Sequence, residues 1–590
     1  GDSITESWEY DGFGGGGCCG GQGFHTAYVD GRGTRDEFVY DPSGNRLTAT
    51  YAANVATDTA TETFTYNGFG QMLTHTNPDR VIVGGSAAGR VDRYQYGASG
   101  AGNDALFQTA MIVDDNGERL RTDYAHDAAG NVREITFPGR LDPVSGTEVR
   151  DYAEMDHNAA DQVTGERFYA ADQTLVAEKR LWYDANGNLV REDVANIVPV
   201  NGPFDFDPAY ASEAWFTTLY EYDELDNLVR TAQEIGGITD GDIDSLALAD
   251  GTGRYDLSGA DPAKPVGSSW IVSERIYDAG KFLVEVRSPE AVSGNQAANK
   301  AEMEYDARGL LYRTVEGDPS DPSSRRITQF DYDAKGRVVA SILAPDSADP
   351  RVTTLAYDGF DRLTEVTDPQ DNETRYQYDD NDNITREERR GPLRDEGASP
   401  TIVDLAITEF EYDARDNLVA RVEHQFDPAS GSRGATPVSY RWVFNDDDSV
   451  RSVSEPSGIG TATTVYSYDT ASRLAKVVDA AGNIEAYAFD SNSNAIELTR
   501  TEVESGTQVF TTSVGYDALG RPAILTDGAF AGGPQVVTET WFDSRGNTIR
   551  TIDPRGNVTT MTYDGLSRLT RTDREMTVTG LGGGALDASN

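Results

Sequence analysis

Residues Tyr357–Thr364 read Tyr-Asp-Gly-Phe-Asp-Arg-Leu-Thr, and the same order of residue types recurs along the chain. An aromatic residue precedes Asp or Asn, followed by two variable residues, Gly or a polar substitute, Arg or Asn, and an apolar residue. Successive copies begin about 20 to 40 residues apart, which is too irregular for a strict solenoid. The pattern indicates one small structural unit repeated with loops of variable length.

The well-formed copies each begin with an aromatic–Asp pair. These pairs are Tyr40 and Asp41, Tyr183 and Asp184, Tyr222 and Asp223, Tyr305 and Asp306, Tyr332 and Asp333, Tyr357 and Asp358, Tyr378 and Asp379, Tyr412 and Asp413, Tyr468 and Asp469, Tyr516 and Asp517, Phe542 and Asp543, and Tyr563 and Asp564. Weaker copies begin at Tyr66, Tyr277, Phe444 and Phe489. We expect these residues to carry the structure of the repeat.

The segments beside each motif have the pattern of half-buried strands. In Arg362–Asp368 and Glu373–Tyr378, bulky or β-branched residues alternate with charged ones, which is the period-2 pattern of a strand. The intervening Asp368–Asn372 has the composition of a turn. Each repeat is therefore predicted to be strand, turn, strand, with the aromatic–Asp motif forming the second turn.

The motif itself supplies what a tight turn needs. Asp can accept backbone N–H groups within the turn, and Gly or Asn two or three places later can adopt a positive φ. We expect the aromatic residue to end its strand with its ring packed on the next hairpin.

Consecutive hairpins are predicted to pair edge to edge, because an isolated hairpin is only marginally stable in water. The result is a long antiparallel sheet, and its natural twist makes such a sheet coil as it grows. Tyr, Leu, Val and Ile are expected on one face, and Glu, Arg, Thr and Gln on the other. The predicted fold class is all-β.

The motif resembles the YD or RHS repeat of bacterial polymorphic toxins, insecticidal toxin complexes, wall-associated proteins and animal teneurins. The resemblance extends from Trp8 to Leu569, nearly the whole chain. It implies a spiralling antiparallel β-strip that closes into a hollow shell or tube, often around a toxin or plug. It also implies an extracellular or cell-surface location.

The charge of the chain excludes some classes of partner. Its 590 residues contain 50 Lys and Arg against 99 Asp and Glu, a formal net charge of −49. Binding to nucleic acid needs a basic patch that releases counterions from phosphates, and an anionic membrane surface repels such a chain. We therefore expect no nucleic-acid partner. We also expect no membrane span, because no run approaches 18 apolar residues.

The repeats divide the chain into three regions. Residues 1–39 are a first repeat with a Gly-rich insertion, 40–570 form a continuous β-spiral, and 571–590 are a Gly-rich tail. Insertions near 78–102 and 236–269 interrupt the spacing. Since functional contacts concentrate on loops above a rigid scaffold, these insertions are the predicted places for partner contacts.

The two cysteines, Cys18 and Cys19, are adjacent within the Gly-rich insertion. Adjacent cysteines cannot form a framework of long-range disulfides. They are predicted either to cross-link to another chain or to form a strained vicinal disulfide. The alternative is an ordinary exposed loop.

A weak signal for calcium lies at Asp240, Asp242 and Asp244, whose carboxylates alternate along the chain. Hard cations such as Ca²⁺ take oxygen ligands of this kind. An EF-hand loop starting at Asp240 needs Gly at position 245 and Glu at 251, where the chain has Ser245 and Gly251. The alternative is an acidic loop without a metal, and no other cofactor is expected.

No catalytic signature is present. The family resemblance implies a self-cleaving Asp-Pro-x-Gly-Leu segment in members that deliver toxins. The nearest matches in this chain, Asp41–Asn45 and Asp553–Asn557, lack the Leu. The five histidines have no metal-ligand spacing, and no nucleophile elbow or phosphate loop occurs. We expect both Asp-Pro segments to be hairpin turns and the chain not to be an enzyme.

Three hypotheses for function remain open. The first is a non-catalytic wall segment that acts as container or surface fibre, with copies of itself or the remainder of a longer chain as partner. The second is the shell portion of a secreted toxin that encloses a cargo. The third is an adhesin that binds surface glycans through Tyr152, Trp215 and Phe216.

Overall fold

The structure is a computed structural model that describes residues 4–10, 24–97, 106–206, 215–236, 270–317, 325–392, 402–427, 432–434, 436–458, 460–503, 506–528 and 535–577. Its regular elements are almost entirely β-strands. The predicted all-β class is confirmed.

The first half of the chain contributes the strands up to β21 and one short helix. They are β1 Ser7–Tyr10, β2 His25–Val29, β3 Arg35–Tyr40, β4 Arg46–Tyr51, β5 Ala60–Tyr66, β6 Met72–Val81, β7 Ala87–Tyr96, β8 Gln108–Val113, β9 Leu120–His126, β10 Val132–Thr136, β11 Arg140–Leu141, β12 Glu148–Val149, β13 Tyr152–His157, β14 Val163–Tyr169, β15 Leu175–Tyr183, β16 Leu189–Ala195, β17 Trp215–Tyr222, β18 Leu228–Glu234, β19 Trp270–Tyr277, β20 Leu283–Arg287, α1 Pro289–Val292 and β21 Lys300–Tyr305.

The regular elements of the second half, within its described ranges, are all strands. They are β22 Leu311–Glu316, β23 Arg326–Tyr332, β24 Val338–Leu343, β25 Arg351–Tyr357, β26 Leu363–Thr367, β27 Glu373–Tyr378, β28 Ile384–Pro392, β29 Ile402–Tyr412, β30 Leu418–His424, β31 Val438–Phe444, β32 Val450–Ser457, β33 Gly460–Tyr468, β34 Leu474–Val478, β35 Ile484–Phe489, β36 Ala495–Glu502, β37 Gln508–Tyr516, β38 Pro522–Asp527, β39 Val536–Phe542, β40 Thr548–Ile552, β41 Val558–Tyr563 and β42 Leu569–Glu575.

All but two of these strands form one sheet of 40 strands. Each strand pairs antiparallel with the strand before it and the strand after it, so the sheet is a continuous meander. The exceptions, β11 and β12, form a small separate hairpin between β10 and β13. The predicted edge-to-edge pairing of hairpins is therefore confirmed.

A β-bulge precedes the aromatic residue of the repeat. The register shifts between Ala356 and Tyr357, and the same shift occurs one residue before Tyr332 and before Tyr468. Tyr357 then lies opposite Leu363, the apolar residue of its own motif. Because a bulge increases the right-handed twist of a hairpin, a bulge in every repeat adds twist at regular intervals along the strip.

The strip winds back onto itself. The N–H of Asp446 donates to the carbonyl of Asp79 at 3.1 Å, and Ile82 forms a parallel bridge with Tyr468. Other contacts join residues 347, 349 and 367 positions apart. One turn of the spiral therefore takes roughly 350 residues.

The overlapping parts of the strip form two windings that lie side by side. The first winding comprises strands β2–β19, and the second winding comprises β27–β42. The line along which they meet is called the seam. Because the second winding lies beside the first, the predicted spiralling sheet is confirmed.

The larger of the two buried clusters lies at the seam. One cluster joins Val176, Ile197 and Trp215 of the first winding to Ala518 of the second. By contrast, every residue of β24, β26 and β34 is only half-buried. The wall is one sheet thick there, and a deep core forms where the windings meet.

Candidate functional site

The repeat turn is built around one aspartate. In the turn that follows β25, Oδ1 of Asp358 accepts the N–H of Phe360 at 2.9 Å and of Arg362 at 3.0 Å. Its Oδ2 accepts Nε of Arg362 at 2.7 Å. The N–H of Asp358 closes the turn on the carbonyl of Arg362 at 3.0 Å. The aspartate thus satisfies the donors that a chain reversal leaves unpaired.

The same arrangement recurs in the other turns. Aspartates that accept the N–H groups two and four residues later are Asp41, Asp184, Asp223, Asp306, Asp333, Asp379, Asp413, Asp517, Asp543 and Asp564. Asp469 accepts the N–H of Arg473. The motif therefore specifies one turn geometry.

The positive φ falls on the third residue after the aspartate. Gly309 has φ 82° there, Asp361 has φ 71° and Ser472 has φ 73°. Asn is expected alongside Gly, yet it is Asp and Ser that most often replace Gly at this position. Short polar side chains tolerate the left-handed region better than bulky ones, which explains why Gly is dispensable here.

Hydrogen bonding holds these aspartates ionised. The Arg337 N–H and then its guanidinium hold the pKa of Asp333 below its usual value. The Asn45 amide and then its N–H lower the pKa of Asp41 in the same way. Because the folded pKa is depressed, this stabilisation is present above the unfolded pKa of about 3.9 and is lost as pH falls through the folded value.

The aromatic residue ties each repeat to the one before it. The hydroxyl of Tyr357 donates to the carbonyl of Val338 at 2.8 Å, and the guanidinium of Arg337 lies 4.6 Å from the centre of its ring. The same donation is made by Tyr222, Tyr305, Tyr332, Tyr378, Tyr412, Tyr468 and Tyr516. The expectation that the ring packs on the following hairpin is wrong, because both contacts run to the preceding repeat.

The Arg or Asn at the end of the motif reaches the next turn. Nη1 of Arg362 donates to the carbonyl of Asp379 at 2.9 Å, and Nη1 of Arg473 donates to that of Asp490 at 2.7 Å. Nδ2 of Asn383 donates to Asp416 at 2.7 Å. Arg can bond its own turn and the next because its guanidinium carries five donors. These contacts form a ladder along one edge of the strip.

The seam joins this edge of the second winding to the opposite edge of the first. The residue directly after the motif aspartate donates its N–H across it. Ser544 donates to the carbonyl of Ile197 at 2.8 Å, and Ala414 donates to Oδ2 of Asp58 at 2.9 Å. Gly565 donates to the carbonyl of Ile235 at 3.0 Å. The repeat motif thus supplies both the turn and the contact between windings.

Glycines mark the places where backbones approach most closely. A Cβ on Gly565 would overlap the carbonyl oxygen of Glu234 and the ring of Phe216. A Cβ on Gly31 would overlap the carbonyl of Asp380. Both glycines have φ values that other residues also adopt. The lack of room for a Cβ therefore explains why glycine occupies these two positions.

A buried ion pair also crosses the seam. Arg80 is 2% exposed, and its guanidinium lies 2.6 Å from Asp447 and 3.1 Å from the carbonyl of Thr470. A buried pair of this kind is costly to break because the remaining charge is left without compensation. Nothing in the spacing of the sequence singles out Arg80, since its partners lie more than 360 residues away.

Apolar side chains of the turns enter the seam as well. Ala518 belongs to the buried cluster with Trp215, and Leu519 packs against it. The guanidinium of Arg545 lies 3.9 Å from the ring centre of Phe216. Trp215 is therefore buried at 2% exposure, and the expectation that it is an exposed glycan-binding aromatic is wrong.

A cavity of about 900 Å³ lies where the overlap begins. Its lining includes Trp8, Asp36, Glu62, Asp416 and Asp447. Burial raises the pKa of Asp36, and the nearby carboxylates reinforce this direction. In the described ranges of the chain, no group of three or more His, Cys, Asp and Glu has a geometry that suits a metal ion.

Several predicted positions fall outside the described residues. These are Cys18, Cys19, Asp240, Asp242 and Asp244, and their cross-link and calcium assignments stay predictions. Asp553 is described, and its Oδ1 accepts the N–H groups of Arg555 at 2.8 Å and Asn557 at 2.9 Å. The Asp-Pro segment there is an ordinary repeat turn.

These features define the class of protein: a β-strip built from tandem hairpin repeats and closed on itself along a seam. Residues 351–391 and 542–575 match the family model described as RHS Repeat. These two segments are therefore RHS repeats. No curated protein sequence matches the chain.

Solved toxin complexes show a distant likeness to the chain. A crystal structure of TcdB2-TccC3-Cdc42 is 11% identical with a TM-score of 0.43, over 99% of this chain and 31% of that one. A Photorhabdus luminescens Tc holotoxin pore is 12% identical with a TM-score of 0.47, over 94% of this chain and 27% of that one. The chain thus spans less than a third of the length of these structures.

The described residues contain no helix that is long and apolar enough to span a bilayer.

Proposed function

We propose that the chain is a non-catalytic wall segment of an extracellular RHS-type β-shell or tube, acting as container or surface fibre. The observation that carries this proposal is the seam. Along it, successive turns of the second winding meet the opposite edge of the first, from Asn381 with Asp30 to Gly565 with Ile235. A strip that closes along such a line makes a continuous barrier.

The thickness of the strip supports the same role. Strands such as β24 and β34 are half-buried along their whole length. A sheet with a solid core beneath it would bury alternate residues completely, as antiparallel sheets with one wet face do. A curved wall one sheet thick encloses space with few residues.

The contacts between repeats support a stiff wall. Each repeat is held to its neighbour by strand pairing, by the tyrosine hydroxyl and by the Arg or Asn ladder, as at Tyr357, Arg337 and Arg362. Networks of charge-assisted hydrogen bonds resist local opening better than isolated pairs. The high negative charge of the chain keeps such a surface soluble and favours cationic over anionic neighbours.

Two of the three candidate residues of the adhesin hypothesis are covered by the second winding, and Tyr152 is the remaining candidate. Trp215 is buried in the seam and Phe216 lies under Arg545. The container and toxin-shell hypotheses share the same wall and differ in what the wall encloses. A reporter domain fused after Asn590 separates them: a toxin shell protects the reporter from added protease, and a bare wall leaves it accessible.

Cryo-electron microscopy of the purified chain tests the wall itself. We expect curved particles with a wall one sheet thick and low density inside. Small-angle X-ray scattering on the same sample should give a radius of gyration well above about 25 Å, the value for a compact chain of this length. Solid particles with a compact radius would contradict the proposal.

A further inference from the structure

The repeat turns of the first winding face no other winding in the described structure. The open rim is defined here as the turns 67–71, 127–131, 158–162, 184–188 and 223–227. In these turns, the residue after the Asp or Asn makes no backbone hydrogen bond through its N–H with any described residue. In the seam, the corresponding N–H groups of Ala414, Ser544 and Gly565 are paired with the first winding. The open rim therefore carries a row of unused donors.

Small residues occupy this position in most turns of the open rim and in several turns of the seam, with Glu224 as the exception on the open rim. Small side chains occupy it in the seam at Ala414, Ala518, Ser544 and Gly565. Small side chains also occupy it on the open rim, at Gly68, Ala128, Ala159 and Ala185. A small side chain in the seam lets the opposite edge approach within hydrogen-bonding distance. On the open rim, no described atom lies within 4 Å of a Cβ placed on Gly68, which leaves room for a partner there.

The next residue of the turn points to the same conclusion. In the seam, Leu519 packs against the buried cluster around Trp215. At the equivalent position, two of the five open-rim turns have a large apolar residue, and both side chains are exposed, Phe69 at 77% and Leu225 at 50%. Large apolar side chains exposed on one edge favour contact with a partner.

The opposite edge of the second winding makes no backbone hydrogen bond with another winding among the described residues. The opposite rim is defined here as the turns 479–483 and 553–557 with Val503 and Val536. Val503 is 39% exposed and Val536 is 40% exposed. This rim is the continuation of the edge that receives the repeat turns along the seam. Its apolar residues complement those of the open rim.

We propose that the open rim of one chain docks onto the opposite rim of a second copy, so that copies stack and continue the spiral. The partner is inferred from continuity with the seam, which already joins these two kinds of edge within one chain. The interface is heterologous, since the two copies contribute different surfaces, and such an interface is open-ended. This inference rests on the proposed function as a wall segment, and it adds that the partner of the wall is a second copy of the same chain.

Sedimentation velocity of the whole chain from about 1 to 100 μM tests this proposal. We expect concentration-dependent association into dimers and longer species. The Phe69→Asp variant places a charge on the open rim and should weaken association by about tenfold or more, as expected for burying an unpaired charge. Val144→Asp is the matched control, because Val144 is also 77% exposed but lies in the turn between β11 and β12, which belongs to neither rim. It should associate as the parent chain does.

A mixing experiment tests the two-surface geometry. Val503→Asp should also block growth, because it changes the other rim. Phe69→Asp keeps an intact opposite rim, and Val503→Asp keeps an intact open rim. Their mixture should therefore form dimers that grow no further.

A parent chain that stays monomeric at 100 μM would overturn the proposal, and so would equal effects of Phe69→Asp and Val144→Asp. Longer species in the mixture would also overturn it. A monomeric chain that still shows a thin curved wall by electron microscopy refutes the stacking and leaves the wall intact. A solid particle refutes the wall.

Discussion

The tyrosine hydroxyl at the end of each motif strand makes a bond that phenylalanine cannot make. It donates to a main-chain carbonyl of the preceding repeat, as Tyr357 does to Val338 at 2.8 Å. Where the chain has Phe542 in this position, only the ring contact with Arg521 is available. At the scale of residues, the tyrosine of the motif thus joins its hairpin to the preceding one through a hydrogen bond.

Tyr357→Phe should therefore loosen one joint of the strip. Loss of a half-buried hydrogen bond costs about 1 kcal/mol. Amide hydrogen exchange in β24 and β25 should quicken by about fivefold, while distant strands stay unchanged. Tyr10→Phe is the control, since Tyr10 is 58% exposed. Equal effects from the two variants would contradict the assigned role of the hydroxyl.

Glu234 is a buried acid whose ionisation should make the stability of the chain depend on pH. It is 1% exposed beside the seam, and neither carboxyl oxygen has a hydrogen bond of good geometry within the described structure. Burial raises the pKa of Glu234 to about 7; the Thr217 N–H offsets part of this and the Asp193 charge adds to it.

The sign of the pH dependence follows from that raised pKa. The folded chain holds a proton on Glu234 that the unfolded chain releases near pH 4.5. Stability should therefore fall as pH rises from about 4.5 to about 7 and then level off, by a contribution on the order of 3 kcal/mol. Glu234→Gln should remove this slope and stabilise the chain at pH 8. Hydrogen exchange of β17 and β18 at pH 5 and pH 8 measures it, and an unchanged slope in the variant would refute the assignment.

At the scale of hairpins and turns, contact with the neighbouring winding determines which side chains a turn tolerates. Gly565 and Gly359 occupy the same position of the same turn type. Gly565 abuts Glu234 and Phe216 across the seam, whereas nothing lies within 4 Å of a Cβ on Gly359. The requirement for glycine thus comes from the neighbouring winding.

Gly565→Ala should open the last part of the seam. The added methyl must push Glu234 or Phe216 aside, and overpacking of this kind costs roughly 1–3 kcal/mol. We expect faster hydrogen exchange at residues 233–235 and 564–566. Gly359→Ala is the matched control and should leave exchange unchanged. Similar exchange in both variants would show that the turn, rather than the seam, sets the effect.

The whole molecule is held in its spiral by contacts between residues far apart in the chain. Arg80 illustrates this, since it is buried and bonds both Asp447 and Thr470 of the second winding. An exposed pair such as Arg93 and Asp115, in which Arg93 is 48% exposed, lies within the first winding.

Arg80→Ala should release the second winding near β31 and β33. Leaving Asp447 buried without its partner costs about 3–5 kcal/mol, whereas exposed pairs contribute about 0–1 kcal/mol. The radius of gyration from X-ray scattering should increase for Arg80→Ala and stay constant for Arg93→Ala. An unchanged radius in both variants would mean that the seam does not depend on this pair.

The sequence by itself determined the hairpin, its turn and its pairing with neighbours. These depend on contacts within one repeat or between adjacent repeats, such as Asp358 with Arg362, and local contacts leave a pattern in residue order. The direction of the tyrosine contact was missed, because a motif spacing does not tell which neighbouring hairpin a ring meets.

Only the tertiary structure decided where the windings meet and which residues become a core. Trp215, Arg80 and Glu234 are buried because turns some 300 to 390 residues further along the chain cover them. The pitch of the spiral accumulates from small twists over many hairpins, and no single segment encodes that sum. A small residue follows several of the motif aspartates, as at Ala414, Ser544 and Gly565, and its role in the contact between windings becomes visible only when the second winding is in place.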